Sequence, residues 1–364
     1  MILKTLELKD FRNYESEEVV FHEKINILTG KNAQGKTNMI EAINLLALGK
    51  SFRTRRENEM VRFGAEISSA KGTFEKRNRP HTVEVRLPAS LSGKKTYFVN
   101  ELETSTVSDL FGGVYTIVFS PEDLRIVKGD PETRRRFLDR ELILQKPLYY
   151  HVLKRYRRIL KTRNNVLKSE KVPLDLLDVY DRQLAEAAAE VMTERAGWIK
   201  RLSEATAAAG AGITDGSEEI KVEYRPHLSQ IGDEINEDAI YNELILHRDR
   251  DCLLRSTETG PHKDDFAIYA SGLDLRVYGS QGQQRTAALA LRLAERELIK
   301  DETGEEAILL LDDVMSELDS NRQEKILDSF GDNQIFITAA GPFQEEALRL
   351  KAAKVIRIES GKVF

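Results

Sequence analysis

Gly30-Lys31-Asn32-Ala33-Gln34-Gly35-Lys36-Thr37 has the spacing G-x-x-x-x-G-K-[ST], that of a loop which wraps phosphates. Its glycines let the backbone curl until successive N–H groups point inward, and the helix that follows adds partial positive charge. Lys36 is expected to reach the β- and γ-phosphates of a nucleotide, and Thr37 to ligate Mg2+. Far along the chain, the apolar run 307–311 ends in Asp312-Asp313. Two carboxylates at the end of a buried strand are costly without a cation or hydrogen-bond partners. Asp312 is expected to hold the metal and Asp313 to polarise an attacking water; a pair capping the next helix is the plain alternative. Ser280-Gln281-Gly282-Gln283-Gln284-Arg285 opens a helix. Ser280 suits an N-cap, Gly282 keeps the backbone accessible, and such a helix start binds an anion well.

These groups need a frame. Residues 25–29 form a short apolar strand entering the loop, and the helix from Asn38 carries Ile40, Ile43, Leu46 and Ala47 at helical spacing. Residues 2–8, 19–21, 70–74, 82–87, 96–99 and 114–119 read as further strands, several of them antiparallel. Residues 148–167 and 174–209 read as two long helices split at Val172-Pro173, with Leu177, Leu184, Val191, Trp198 and Leu202 as a packing stripe. Gly210–Gly212 and Thr214–Ser217 are expected to form a loop. Beyond it lie a strand at 220–224, a helix at 237–247, the helix 286–299 and a last strand at 334–338. The order implies an α/β head, a P-loop ATPase type with a mixed sheet and an antiparallel β-meander, split by a mainly helical second lobe. The expected head is 1–128 and 260–364, the inserted lobe 129–259 with its hairpin near 148–209.

Val314-Met315-Ser316-Glu317-Leu318-Asp319 resembles the D-loop of ABC-type ATPases, and 280–285 resembles their signature, which meets the γ-phosphate held by a second subunit. In that resemblance ATP lies between two heads, contacted by Lys31, Asn32, Ala33, Gln34, Ser280, Gly282, Gln283 and Asp319. ABC-type ATPases usually carry Glu where this chain has Asp313, a departure that implies slow turnover. Thr338 stands where transporters place a switch histidine. Phe11-Arg12-Asn13-Tyr14, Asn32 in the loop, Ser51-Phe52-Arg53-Thr54, 119–124, 131–139 and Thr259-Gly260-Pro261-His262-Lys263-Asp264-Asp265 extend the likeness along the whole chain. They resemble the bacterial RecF family of SMC-like repair ATPases. That resemblance implies an ATP-dependent homodimer on double-stranded DNA near single-strand gaps and gapped junctions, working with RecO and RecR to load RecA. It also implies that Arg12 lies near the nucleotide, Arg53 near the phosphates, and Glu122 or Asp123 near metal and water. His262 is a lobe-packing residue or, less in keeping with a single histidine, a nucleotide contact.

The chain of 364 residues has a net charge of −5, so no global attraction to nucleic acid exists. The charge is segregated: residues 1–171 carry 33 Lys/Arg against 22 Asp/Glu, and 172–364 carry 22 against 38. One expected DNA surface is the helix with Lys154, Arg155, Arg157, Arg158, Lys161, Arg163, Lys168 and Lys171; the rival is on the head, with Arg55, Arg56, Arg62, Lys76, Arg77 and Arg79. No base-reading helix is evident, so backbone and shape recognition is expected. The single cysteine, Cys252, excludes an internal disulfide. No apolar run of about 18 residues and no leader pattern is visible, and a cytoplasmic, membrane-free location is expected. Two rival functions are an ABC-type ATPase powering a membrane permease and a small-molecule P-loop kinase. The first calls for a switch histidine and an L-S-G-G-Q signature, from which the chain departs; the second leaves 280–285 unexplained.

Overall fold

The computed structural model describes residues 1–54, 56–228, 235–315, 320–339 and 353–364. They fall into two compact units, Met1–Asp123 with Glu295–Phe364, and Leu124–Ala294. The chain begins in the first unit with β1 (Ile2–Phe11), β2 (Tyr14–Val20), β3 (Ile25–Thr29), α1 (Lys36–Leu48), β4 (Ile67–Lys76), β5 (Arg79–Pro88), β6 (Thr96–Val99), β7 (Leu102–Thr104) and β8 (Thr116–Phe119). It passes through the second with α2 (Leu124–Lys128), α3 (Pro131–Gln145), α4 (Leu148–Leu167), α5 (Leu174–Thr214), β9 (Ile220–Arg225), α6 (Glu237–Leu246), α7 (Arg248–Leu254), β10 (Asp265–Ala270), β11 (Leu273–Asp274), α8 (Leu275–Tyr278) and α9 (Gln281–Thr303). It ends in the first with β12 (Ile308–Leu311), α10 (Ser320–Ser329), β13 (Ile335–Ala339), β14 (Ala353–Glu359) and β15 (Lys362–Val363). The units divide within α9, well past the expected return at Gly260–Asp265.

The first unit contains two six-stranded sheets. One is antiparallel, in the order β2-β1-β4-β5-β6-β7; the other runs β15-β14-β3-β13-β12-β8 and is parallel except for the β14–β15 hairpin. β3, β8, β12 and β13 are short and almost wholly buried, as strands covered on both faces must be. α1 packs on strands of both sheets, and Met39, Ile40, Ala42, Ile43, Leu45, Leu46 and Ala47 are fully buried on it. A helix apolar around most of its circumference has no solvent face to offer. The parallel strands therefore end side by side, and the loops that leave them form one rim, where ligands of such sheets bind.

The second unit is built on the antiparallel pair α4 and α5. α5 runs to Thr214, past the glycines expected to break it. Gly210 is buried against β9, where an added Cβ would lie 2.8 Å from Ile220 Cδ1. That glycine permits close approach rather than a turn, and the helix ends instead at left-handed Asp215. Trp198 is buried beside Phe137, its indole N–H donating to Gln145 Oε1 at 2.9 Å.

Candidate nucleotide site

The loop 30–35 leaves β3 and delivers α1. Gly30, Ala33 and Gly35 have φ of 146°, 62° and 125°, so the loop curls through conformations that glycine tolerates best. Gly35 is the N-cap of α1 and supplies no side-chain acceptor, and no acid sits in the first turn. The N–H groups there are open to an anion. Lys36 Nζ lies inside the curl, donating to Gly30 O at 2.7 Å and Lys31 O at 3.0 Å. Lys31, Asn32 and Ala33 are exposed along its outer course.

Thr37 Oγ1 donates to Asp312 Oδ1 at 2.9 Å. The contact joins the start of α1 to the end of β12 across the intervening β13. Thr338, on β13, fills the gap: its Oγ1 accepts from Asp313 N at 2.9 Å and lies 3.1 Å from Asp312 Oδ1 and 3.3 Å from Asp313 Oδ1. Burial pushes the Asp312 carboxyl above its usual range, and the neighbouring Asp313 adds to this, against the hydrogen bonds of Thr37 and Thr338. A cation beside Asp312 would offset that cost. Asp313 stands at φ 55°, in the left-handed region, and so turns away from the line of the strand.

The donor set fits Mg2+. One hydroxyl and one buried carboxylate are hard oxygens, and Mg2+ usually takes the rest of its ligands from water and substrate phosphates. No cluster of three or more His, Cys, Asp or Glu suited to a metal occurs among the described residues.

The arginines behave differently from each other. Arg12 is held by Glu41 through Nε at 2.8 Å and Nη2 at 2.7 Å, and Nη1 donates to Glu59 O at 2.7 Å. Arg53 Nη1 donates to Asn38 Oδ1 at 2.9 Å and lies 3.4 Å from Glu41 Oε2, and its charge also lowers the Asp312 carboxyl. Glu41, fully buried in α1, thus anchors both, together with Ser51 Oγ. It escaped the sequence reading, although a lone acid in an otherwise apolar helix was the available signal. Asp123 accepts from Ser120 N at 2.8 Å and closes its own turn, whereas Glu122 is exposed. Asp319 and Arg55 lie outside the described residues.

Ser280, Gly282 and Gln283 belong to the second unit. Ser280 Oγ accepts from Gln283 N at 3.2 Å, and Gln283 Oε1 accepts from Ser280 N at 3.0 Å, a reciprocal capping box. An added Cβ on Gly282 would meet only Ser280 Oγ, at 3.9 Å, so the helix start faces open space. Exposed Val277 and Tyr278 flank it. His262 packs within this unit. Its Nε2 is 2.9 Å from Thr257 O, so it carries the proton, and Nδ1 accepts from Tyr156 O–H at 2.6 Å. Burial lowers its pKa to about 4.

The basic helix α4 is more mixed than its sequence. Arg163 is fully buried and paired with Asp181 at 2.6 Å and Asp251 at 2.7 Å. Arg155 pairs with Glu186 and Glu190, and Arg157 with Asp139 at 2.9 Å. These cations are therefore not a free stripe, and Arg163 leaves the surface altogether. Lys154, Arg158 and Lys161 remain exposed. On the first unit Arg62 is paired with Asp10 and Glu15 and Arg77 with Glu305, Lys76 donates to Gly112 O, and Arg56 is exposed.

A phosphate loop beside a carboxylate strand on a parallel sheet, with a signature-like helix start on an inserted unit, defines the head class of P-loop proteins. A family model described as the RecF/RecN/SMC N terminal domain matches residues 2–360. The DNA replication and repair protein RecF of Clostridioides difficile (strain 630) is 39% identical over 368 residues, covering 100% of this chain and 98% of its own. That of Acetivibrio thermocellus is 39% identical over 371 residues, covering 100% of both. The solved structure of the recombination mediator protein RecF with ATP, in the RecFOR pathway, has a TM-score of 0.91 at 34% identity, covering 100% of this chain and 97% of that one. An SMC head bound to the C-winged helix domain of ScpA has a TM-score of 0.57 at 16% identity, which shows the shared fold alone. The chain belongs to the RecF/RecN/SMC family and, within it, to the RecF proteins.

Proposed function

We propose that this chain is an ATP-dependent DNA-binding protein of DNA replication and recombinational repair, and a slow ATPase. The observation that carries the reading is the Thr37–Asp312 contact at 2.9 Å, made beside an uncapped helix start that holds Lys36. Its relatives carry the repair role in their names, and one of them was solved with ATP. In this reading Lys36 leaves the Gly30 and Lys31 carbonyls for the β- and γ-phosphate oxygens. Thr37 and Asp312 would hold Mg2+, which would supply positive charge beside those oxygens. Asp313, its backbone fixed by Thr338, orients water; the water oxygen bonds the γ-phosphorus as its proton passes to a phosphate oxygen, the bridging P–O bond breaks with its electron pair on the β-phosphate oxygen, and ADP and inorganic phosphate leave. Arg53 lies on the phosphate side, while Arg12, held by Glu41, is a nucleotide contact only at one remove.

Ser280, Gly282 and Gln283 then serve the γ-phosphate bound by a second copy, with Asp319 alongside. ATP binding closes two heads on double-stranded DNA near single-strand gaps, and hydrolysis opens them. RecR and RecO are the expected partners, RecA loading the outcome, and the cytoplasm the place. Lys154, Arg157, Arg158 and Lys161, with Arg55 and Arg56 as the rival patch, supply phosphate contacts. Among the described residues no helix is long and apolar enough to cross a membrane.

Light scattering on Asp313→Asn with and without ATP and Mg2+ tests this. A monomer that doubles in mass only with ATP, and fails to do so when Ser280→Arg is added, is the expected result. An unchanged mass would remove the sandwich and leave a single-chain ATPase.

A further inference from the structure

We infer that the β14–β15 turn, Ser360-Gly361, is a positioning element of the phosphate loop. The inference rests on the nucleotide-binding reading above. β14 pairs in parallel with β3, Arg357 opposite Thr29, and so runs alongside the strand that enters the loop. It touches the loop at both ends. At the first, a Cβ on Gly30 would fall 2.2 Å from Ile358 O, so only glycine lets the two backbones lie this close.

At the second end the contact is made by hydrogen bonds. Ser360 and Gly361 have φ of 51° and 76°, the two left-handed positions of a tight hairpin turn. That conformation aims their N–H groups at Gln34. Gly361 N donates to Gln34 O at 3.0 Å, and Ser360 N donates to Gln34 Oε1 at 2.5 Å. Ser360 Oγ also reaches Gln34 Oε1, at 3.2 Å. Gln34 O accepts a second bond, from Asn13 Nδ2 at 2.8 Å. A Cβ on Gly361 would lie 2.1 Å from Asn13 O, so the two turns and the loop interlock.

The consequence follows from the planar trans peptide, in which C=O and N–H point in opposite directions. With Gln34 O held outward by Gly361 and Asn13, the Gly35 N–H faces the other way. Tyr14 O–H holds the next carbonyl, Gly35 O, at 2.9 Å. The peptide planes at the loop's exit are thus set from outside before any phosphate arrives. Oriented donors that need no rearrangement bind more tightly than donors that must be ordered.

The test is binding of a fluorescent ATP analogue with Mg2+ to the full chain, alongside the thermal midpoint without nucleotide. Gln34→Ala removes the acceptor of the two Ser360 bonds, and Gly361→Ala forces the turn off Asn13. Dissociation constants should rise about 10-fold for the first, because the loop's exit is no longer set in advance, and further for the second, in each case by more than any fall in the nucleotide-free midpoint accounts for. Ser360→Asn keeps the backbone donor and suits left-handed φ, so it should bind like the parent. In the parent, ATP should slow hydrogen exchange in 358–364. Parental affinity in both Gln34→Ala and Gly361→Ala would overturn the inference and leave the nucleotide reading intact. So would loss of affinity only in step with loss of the midpoint. Failure of the parent itself to bind would overturn both.

Discussion

Two helix starts in this molecule are built in opposite ways. α1 begins at Gly35 with no side-chain acceptor, its first turn free of acids and Lys36 already inside the curl. α9 begins at Ser280, where serine and Gln283 satisfy each other's backbone donors. An uncapped start with a buried lysine is unfinished until phosphate binds. A capped start is stable alone and gives up its side-chain bonds only when something better is presented. The first therefore suits a ligand the chain holds itself, and the second, on the proposed reading, a phosphate delivered by another molecule.

The sharpest way to break this contrast is at Gly35. Alanine there would need φ 125° and would place a Cβ 2.9 Å from Tyr14 O–H and 3.0 Å from Asn13. Forcing that conformation on a non-glycine residue costs on the order of 1–3 kcal/mol before the contacts are counted. Gly35→Ala should weaken nucleotide binding by about 100-fold or more, measured by calorimetry. Gly282→Ala, facing open space, should leave binding by the single chain unaltered. Equal effects at both glycines would show that the two starts are not different in kind.

The same division between groups satisfied within the chain and groups left open runs through the cations. Arg62, Arg77 and Arg163 have internal carboxylates, and Lys154, Arg158 and Lys161 are exposed. Replacing the latter three with alanine should lower affinity for double-stranded DNA about 10-fold and reduce the salt slope by roughly two to three. Arg62→Ala should leave both nearly unchanged. The reverse pattern in a salt titration would move the DNA surface to the first unit.

How much of this was legible from sequence depended on the range of the contact. The loop, the carboxylate pair and the apolar strands were readable because a local spacing carries each of them. The length of α5 was misread at Gly210 because a glycine signals a turn and a close approach identically. Only β9, ten positions on, decides between the two. Arg163 read as a DNA contact because its sequence neighbours are basic, yet its partners Asp181 and Asp251 come from α5 and α7. Glu41, and the grip of Ser360-Gly361 on Gln34, depend on residues brought together from distant parts of the chain, which periodicity does not report.

His262 sharpens the contrast from the buried side, since both ring nitrogens are engaged at home. With its pKa lowered to about 4 by burial, the folded state refuses a proton that the unfolded chain accepts below about pH 6.5. The unfolded state then binds more protons, so stability is full above that pH and is lost as pH falls toward 4. The slope is about 1.4 kcal/mol per pH unit in this window. Denaturant midpoints at pH 7.5 and 5.5 should converge in His262→Gln more than in the parent; equal shifts would mean that other groups carry the acid sensitivity.

The smallest expected effect is at Ser280. Ser280→Ala removes the Oγ that accepts from Gln283 N, and loss of such a cap costs about 1 kcal/mol. If the box were only a fold device, that stability loss would be the whole outcome, and ATP-driven dimerisation of the Asp313→Asn background would persist. If the helix start serves a phosphate held by a second copy, dimerisation should weaken several-fold while nucleotide binding by the single chain is retained. Sedimentation of Ser280→Ala with Asp313→Asn, across a protein concentration series with ATP and Mg2+, separates the two. Dimer dissociation identical to that of Asp313→Asn alone would reduce α9 to an ordinary capped helix and return the comparison to a single anion site.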